Sequence, residues 1–280
     1  MRRAGAVAVA VLALGLAAGC QDPERVRFPA GTTMARLQDA GTITVGVKDD
    51  QPGVGFRNLA TGKLEGFDIE LAKIVARRLG IDGDRIRWET TVSKNRVPYL
   101  QSGQVDIVVA SFSITPERRA QVGQAGPYFV AGQQLLVRKA EDRITGPEQL
   151  AGFKVCSVTD STSLATVQRR YAARPVRVAT YTECVRMLLG SSVDAVTTDD
   201  AILLGYVGQQ PDKLKVVGQP FTTERYGIGY RRGDREFCQF LTETIRLAKD
   251  DGSWADAFAR TLGRAGVPMP PAPEPEPCTD

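Results

Sequence analysis

Ala110-Ser111-Phe112-Ser113-Ile114-Thr115-Pro116-Glu117-Arg118 decides how this chain is read. The residues before it, Gly103-Gln104-Val105-Asp106-Ile107-Val108-Val109, form a short β-branched run bounded by glycine, the pattern of a buried strand. After it, Thr115 suits the cap of a helix whose first residue is Pro116. The loop therefore sits where a strand ends and a short helix begins. Arg118 falls in the first turn of that helix and offers a planar fork of donors, the shape that grips a carboxylate at two points. Ser111 and Ser113 add hydroxyls and backbone groups beside it. Open α/β sheets bind ligands at the carboxyl ends of their strands. Taken alone, the same residues also fit a surface loop with an exposed arginine.

Working outward, Ile43 to Lys48 alternates like a strand and runs into Asp49-Asp50-Gln51-Pro52-Gly53, which reads as a turn. Ile69, Ala72, Val75, Ala76 and Leu79 fall at helical spacing, and Gly80 stops that helix. Arg85 to Thr91 reads as a strand, and Ser93 as the cap of a helix that starts around Arg96. Downstream, a turn at Pro127 leads to the strand Gly132 to Arg138, taken as a first crossing to a second lobe. Strand Phe153 to Val158 ends at Thr159-Asp160-Ser161-Thr162-Ser163, where a helix begins. Strand Val176 to Ala179, helix Thr182 to Leu189 and strand Val193 to Thr197 follow, with Asp199 and Asp200 capping the next helix. Val216 to Phe221 reads as the return crossing, Tyr226 to Tyr230 as a strand, and two helices complete the folded part. This alternation predicts parallel α/β sheets. The two halves echo each other weakly: each has a strand, a Ser/Thr-rich turn and a helix start. We read two α/β lobes joined by two crossing strands, with a ligand cleft between them that closes by hinge motion.

Composition narrows the chemistry. The 280 residues are 42% hydrophobic, enough for one or two cores. The net charge is only +4, and no Lys/Arg run is long enough for a nucleic-acid tract. There is no histidine, which removes Ser-His and Cys-His nucleophile pairs and histidine metal sites together. Cys20, Cys156, Cys184, Cys238 and Cys278 contain no CxxC pair, so zinc and thioredoxin-type sites lose their usual support.

The beginning of the chain has a basic Met1-Arg2-Arg3 and an apolar run over residues 4 to 18, too short to span a bilayer. It reads as a signal peptide over residues 1–19. A polar, Pro- and Gly-containing tether covers 20–36. The first lobe is assigned to 37–131, the second to 132–218 and the return to the first to 219–267, with a Pro-rich extended tail over 268–280. In an exported protein Cys156 and Cys184, which share a lobe, are expected to pair. Cys238 and Cys278 would then pin the tail to the long helix. Four cysteines allow three pairings, and the sequence does not choose among them.

Ser-Phe-Ser-Ile-Thr-Pro-Glu-Arg, the following Gly126-Pro127-Tyr128-Phe129, and the upstream Gly66-Phe67-Asp68-Ile69-Glu70-Leu71-Ala72 together resemble the signatures of the polar amino-acid-binding proteins of ABC importers, the family 3 solute-binding proteins, over roughly residues 37 to 265. The resemblance implies the two-lobed periplasmic-binding-protein fold. It implies that Arg118 binds a ligand α-carboxylate, and that Ser111 and Ser113, with Phe112 between them, hold the α-ammonium together with Asp199. Thr159, Ser161 and Thr162 bring hydroxyls and helix N-terminal amides, which favour anions. Asp160 departs from the glycine common in the family, which leaves the loop shape open. Basic residues at Lys48 and Arg96 resemble those of acidic amino-acid binders, so L-glutamate or L-aspartate is the expected ligand. Leu16-Ala17-Ala18-Gly19-Cys20 resembles a lipobox, which implies lipidation at Cys20 and a membrane anchor at the extracellular face. The implied partners are the transmembrane subunits of an ABC permease. A monomer, no nucleic acid, no cofactor, no metal and no catalytic residue complete the expectation.

Two other classes stay open at this point. The same cleft could report amino-acid levels to a membrane signalling partner. Some proteins of this fold resemble dehydratases of prephenate or arogenate; those need a general acid, for which Glu183 or Glu224 is the candidate.

Overall fold

The computed structural model describes residues 27–279. The signal segment and Cys20 lie outside the described residues. Two five-stranded sheets carry the fold. The first has the order β5-β1-β6-β13-β7, built from β1 (Ile43–Val47), β5 (Ile86–Thr90), β6 (Ile107–Val108), β7 (Gly123–Ala131) and β13 (Glu224–Tyr230). The second has the order β10-β9-β11-β8-β12, built from β8 (Gln133–Arg138), β9 (Lys154–Val158), β10 (Arg174–Val178), β11 (Ala195–Asp199) and β12 (Leu214–Val217). The weak echo of the two halves is thus a repeated topology. In each sheet three strands run parallel, and the earliest of the three lies between the other two. That order places a topological switch point, where ligands collect, at the carboxyl end of each sheet.

The expectation of parallel sheets needs correction for the other two strands of each. β13 runs antiparallel to β6 and β7, and β8 antiparallel to β11 and β12. The reason is the double crossing. β7 passes into β8 with only Gly132 between them, and β12 returns to β13 through residues 218–223. Outgoing and returning strands lie side by side as one antiparallel ribbon through both sheets. Phe221 N–H donates to Gln133 O across it at 3.0 Å. A Cβ at Gly132 would collide with the Pro220 ring, so the ribbon can pack this closely only with glycine there.

β7 occupies the stretch read as a turn at Pro127: Gly126 and Pro127 lie inside a strand whose neighbour supplies the pairing. The Asp49–Gly53 turn likewise opens a small antiparallel sheet of β2 (Asp50–Gln51), β3 (Gly55–Arg57) and β4 (Leu64–Glu65). Helix α1 (Thr33–Ala40) begins inside the span assigned to the tether, because Thr32 Oγ1 accepts from Ala35 N–H and caps it.

Helix α2 (Phe67–Arg78) buries the periodic residues Ile69, Ala72, Val75 and Ala76. With α8 (Arg235–Asp250) and α9 (Ser253–Arg260) it covers one face of the first sheet. Phe67 meets Tyr128, Phe129, Trp254 and Phe258 there at ring distances of 5.5–6.2 Å. Helix α3 (Arg96–Ser102) packs Leu100 with Val108 and Phe112 on the other face. Helices α5 (Thr162–Arg170), α6 (Tyr181–Leu189) and α7 (Asp200–Gln209) pack on the second sheet. Disulfides join Cys156 of β9 to Cys184 of α6, and Cys238 of α8 to Cys278. The tail has no regular structure, yet it is held down. Glu276 pairs with Arg119 and Arg225, and its N–H donates to Gly126 O at 2.7 Å.

Candidate functional site

The loop after β6 is held from below by the upstream motif. Asp68, fully buried in the first turn of α2, accepts from the Ser111 N–H at 2.7 Å and from the Tyr128 hydroxyl at 2.8 Å. Burial raises its carboxyl to about 6. Ser111 takes a left-handed φ of +43°, a conformation that costs a non-glycine residue energy and persists where neighbours enforce it. In that conformation the carbonyls of Ala110 and Ser111 accept from Arg96 Nη1 at 3.1 and 3.0 Å. Thr115 Oγ1 accepts from Arg118 N–H, so the cap forms at the start of α4 (Pro116–Arg119). Arg118 Nη1 then donates to Ser113 O at 2.7 Å.

Three cations gather here. Lys48, at the end of β1, is 4% exposed and donates to Ser93 Oγ at 3.0 Å. Arg96 is 3% exposed. The guanidiniums of Arg96 and Arg118 lie 4.7 and 5.0 Å from the centre of the Phe112 ring, within cation–π range. Burial first, and then the charge of Arg96, pushes the Lys48 ammonium down to about 7. Burial, with Arg118 next, pushes Arg96 down to about 9. Positive charge is thus crowded and poorly solvated, a state an incoming anion relieves.

The opposite wall comes from the second sheet. Ser161 Oγ accepts from Leu164 N–H and caps α5. Asp160 adopts a left-handed φ of +61°, so the loop keeps a glycine-like turn, and its carbonyl accepts from Arg118 Nη2 at 3.0 Å across the lobes. Thr162 Oγ1 donates to Glu224 at 2.8 Å. Asp199 ends β11, and its carboxylate is not spent on the helix that follows. One oxygen accepts from the Tyr226 hydroxyl; the other, Oδ1, is buried without a partner. Burial, then the Glu224 charge, lifts this carboxyl to about 7.

Between these walls lies a small cavity. Ser93, Arg96, Ser111 and Ser113 face it from the first lobe; Ser161, Thr162, Ser163, Tyr181, Thr198, Asp199 and Ile202 face it from the second. An open groove adjoins it, lined by Phe112 and Arg118 among others. A cleft at the switch points of two sheets, with Arg96 on one wall, Lys48 and Arg118 close to it, and an unpartnered carboxylate oxygen on a residue of the other wall, is built to hold a small charged solute. Residues 43–264 match the bacterial extracellular solute-binding proteins, family 3. The chain belongs to this family.

Among similar proteins, a glutamate-binding protein, GluB, of Corynebacterium efficiens is 36% identical over 273 residues, 94% of this chain and 91% of that one. The glutamine-binding protein GlnH of an ABC transporter of Bacillus subtilis is 34% identical, over 82% of this chain and 84% of its own. A solved structure of an ancestral arginine-binding protein bound to glutamine superposes with a TM-score of 0.75 at 36% identity, covering 80% of this chain and 98% of that one.

Family 3 proteins are solute receptors, and the two glutamates considered for an enzyme fit that. Glu224 is buried at the start of β13 with both oxygens engaged by Thr162 and Thr222. Glu183 is half-buried on α6, and neither glutamate lines the cavity. Of the residues singled out in the sequence, Arg96, Ser111, Ser113, Ser161, Thr162 and Asp199 line the cavity together. Lys48 stands behind Ser93, while Phe112 and Arg118 border the adjoining groove. Thr159 does not line the cavity; its N–H and hydroxyl both donate to Val178 O at the end of the β9–β10 ladder. Ser93 is a correction, since its hydroxyl receives Lys48 instead of capping a helix. Sequence reasoning missed Tyr181, Ser163, Thr198 and Ile202 as cavity residues, and the support given by Asp68 and Gln51. An acid set between Phe67 and Ile69 on an apolar helix face was the one available signal.

Proposed function

We propose that this receptor captures an acidic amino acid, glutamate or aspartate, between its lobes and delivers it to an ABC permease. The observation that carries this reading is the buried, unpartnered Oδ1 of Asp199, a residue lining a cavity whose other wall carries the buried Arg96. In this reading Asp199, with Ser111 and Ser113, receives the α-ammonium. Arg118 takes the α-carboxylate, helped by the start of α5 at Ser161 and Thr162. Lys48 and Arg96 answer the side-chain carboxylate, with Phe112 as the platform under both guanidiniums. Residues 37–131 with 219–267 form one lobe and 132–218 the other. The receptor works as a monomer, anchored through a lipid on Cys20 at the extracellular face of the membrane.

A neutral ligand in a closed cleft would leave buried cations without an anion, which is costly. Glutamate or aspartate should therefore bind better than glutamine or asparagine by about ten- to hundredfold, one charge-assisted hydrogen bond of about 1.5–3 kcal/mol. Titration of the four ligands against wild type and Arg96→Ala tests this. Arg96→Ala should erase most of the preference, and glutamine binding as tightly as glutamate to the wild type would overturn the acidic-ligand reading.

A further inference from the structure

The tripeptide Asp50-Gln51-Pro52 belongs to the first lobe, yet it is fastened to two helices of the second. Asp50 Oδ2 accepts from the backbone N–H groups of Tyr181 at 2.7 Å and Thr182 at 3.4 Å, the first two residues of α6. These are donors that a helix start leaves without intrahelical partners. The helix's own cap, Thr180, serves only the next one, Glu183 N–H. The Asp50 carbonyl accepts from the hydroxyl of Tyr206 on α7, and the Thr182 hydroxyl, 3.1 Å from the Tyr206 oxygen and 3.4 Å from the same carbonyl, shares its one proton between those two acceptors. Two residues on, the Pro52 carbonyl lies against Gly205 of α7 so closely that a Cβ there would collide with it. Gln51, between the two, turns the other way and accepts from the Ser111 hydroxyl at 3.0 Å.

We propose that Asp50 and Gly205 form a latch that holds the lobes closed and positions Tyr181 in the cavity wall. Neither Asp50, Pro52 nor Gly205 lines the cavity. Their effect on binding is therefore exerted through closure, with Gln51 tying the same strand to the loop that carries Ser111. The contacts exist only while the lobes are together, so they set how long a bound solute stays and leave its arrival nearly untouched. This rests on the reading that the solute sits between the lobes.

The test uses stopped-flow binding of L-glutamate, with distances between spin labels placed one on each lobe, for wild type, Asp50→Ala, Asp50→Asn and Gly205→Ala. Asp50→Ala should speed dissociation by about threefold to thirtyfold, the range for a lost helix cap, with association changed less than twofold. Asp50→Asn keeps an acceptor oxygen and should stay within about twofold of wild type. Gly205→Ala acts from the other lobe and should speed dissociation at least as much as Asp50→Ala. Both disrupting variants should shift the label distances toward open, with or without glutamate. Unchanged dissociation and unchanged distances in Asp50→Ala and Gly205→Ala would overturn the latch. If wild type does not bind glutamate, the ligand assignment fails by itself, and the distance shifts still decide the latch. If one disrupting variant does not fold, the other decides it.

Discussion

The carboxylate of Asp68 and the backbone N–H of Ser111 are 2.7 Å apart, 43 residues apart in sequence and both buried. This bond explains why two separate motifs occur in one chain: the Gly-Phe-Asp stretch is the foundation of the Ser-Phe-Ser loop. Phe67 fixes α2 in an aromatic cluster, Asp68 holds the loop, and the loop holds Arg96 and Arg118.

Asp68→Ala should therefore lower stability by about 2–4 kcal/mol, since it leaves the Ser111 N–H and the Tyr128 hydroxyl buried without an acceptor. Asp68→Asn should cost less. The carboxyl titrates higher in the fold, at about 6, than in the unfolded chain. The folded state then holds the proton more tightly between about pH 4 and 6, so stability falls as pH rises through that window. Asp68→Asn should flatten this slope. Urea titrations from pH 4 to 8 measure both effects.

Arg118→Ala and Asp199→Asn should weaken every amino-acid ligand alike. Each removes one partner of a desolvated charge pair, a loss of about 2–5 kcal/mol, or more than tenfold in affinity. Calorimetry on several ligands checks this, and a near-normal Kd for Arg118→Ala would remove that residue from the α-carboxylate site.

Binding should also move protons, in opposite directions at the two ends of the cleft. Burial brings both Lys48 and Asp199 to about 7 in the fold. An incoming carboxylate favours charged Lys48 and takes up a proton; an incoming ammonium favours ionised Asp199 and releases one. Near pH 7 the wild type should show little net exchange. Lys48→Met should expose the release and Asp199→Asn the uptake, as binding enthalpies that vary with the ionisation enthalpy of the buffer. A wild type, Lys48→Met and Asp199→Asn with the same buffer dependence would exclude this linkage.

The two disulfides should contribute unequally. Chain-entropy arguments favour the longer loop, a sequence separation of 40 for Cys238 and Cys278 against 28 for Cys156 and Cys184. Burial reverses that order: Cys156 and Cys184 are both 0% exposed in the core, whereas Cys278 anchors an irregular tail. The Cys156→Ala/Cys184→Ala pair should lose about 3–5 kcal/mol and the Cys238→Ala/Cys278→Ala pair about 2 kcal/mol, as read from urea midpoints.

Cys20→Ala should move the protein from the membrane fraction to the soluble one. Retention in the membrane fraction would place the anchor elsewhere.

Local signals carried much of this molecule. The 3.6-residue spacing of Ile69, Ala72 and Val75 marked α2, and Thr115-Pro116 marked α4 with Arg118 in place. What local signals could not carry were contacts made over long separations. β7 reads as a turn because Gly126-Pro127 is a turn sequence until β13 lies beside it. The β2–β4 sheet is invisible because its strands of two or three residues are shorter than any periodicity. At the site, residues at strand ends were legible because a strand's end fixes where they go. Thr159 lies off the cavity because its N–H and hydroxyl both go to Val178 O, and Tyr181 was missed because only the approach of the other lobe makes a helix start into a cavity wall.

Helix α8 receives both ends of the described chain. The Phe28 ring meets Phe240 edge-on at 5.4 Å, and the Cys278 bond closes on Cys238 of the same helix. Both segments thus leave from one body, and the second lobe is reached only through the two crossings. A fluorophore or fusion partner attached at either segment will travel with the first lobe, so the second lobe is free to swing without dragging a load. For a biosensor built on this receptor, one dye belongs on a terminal segment and the other on the outer surface of the second lobe, where the full closing displacement is read.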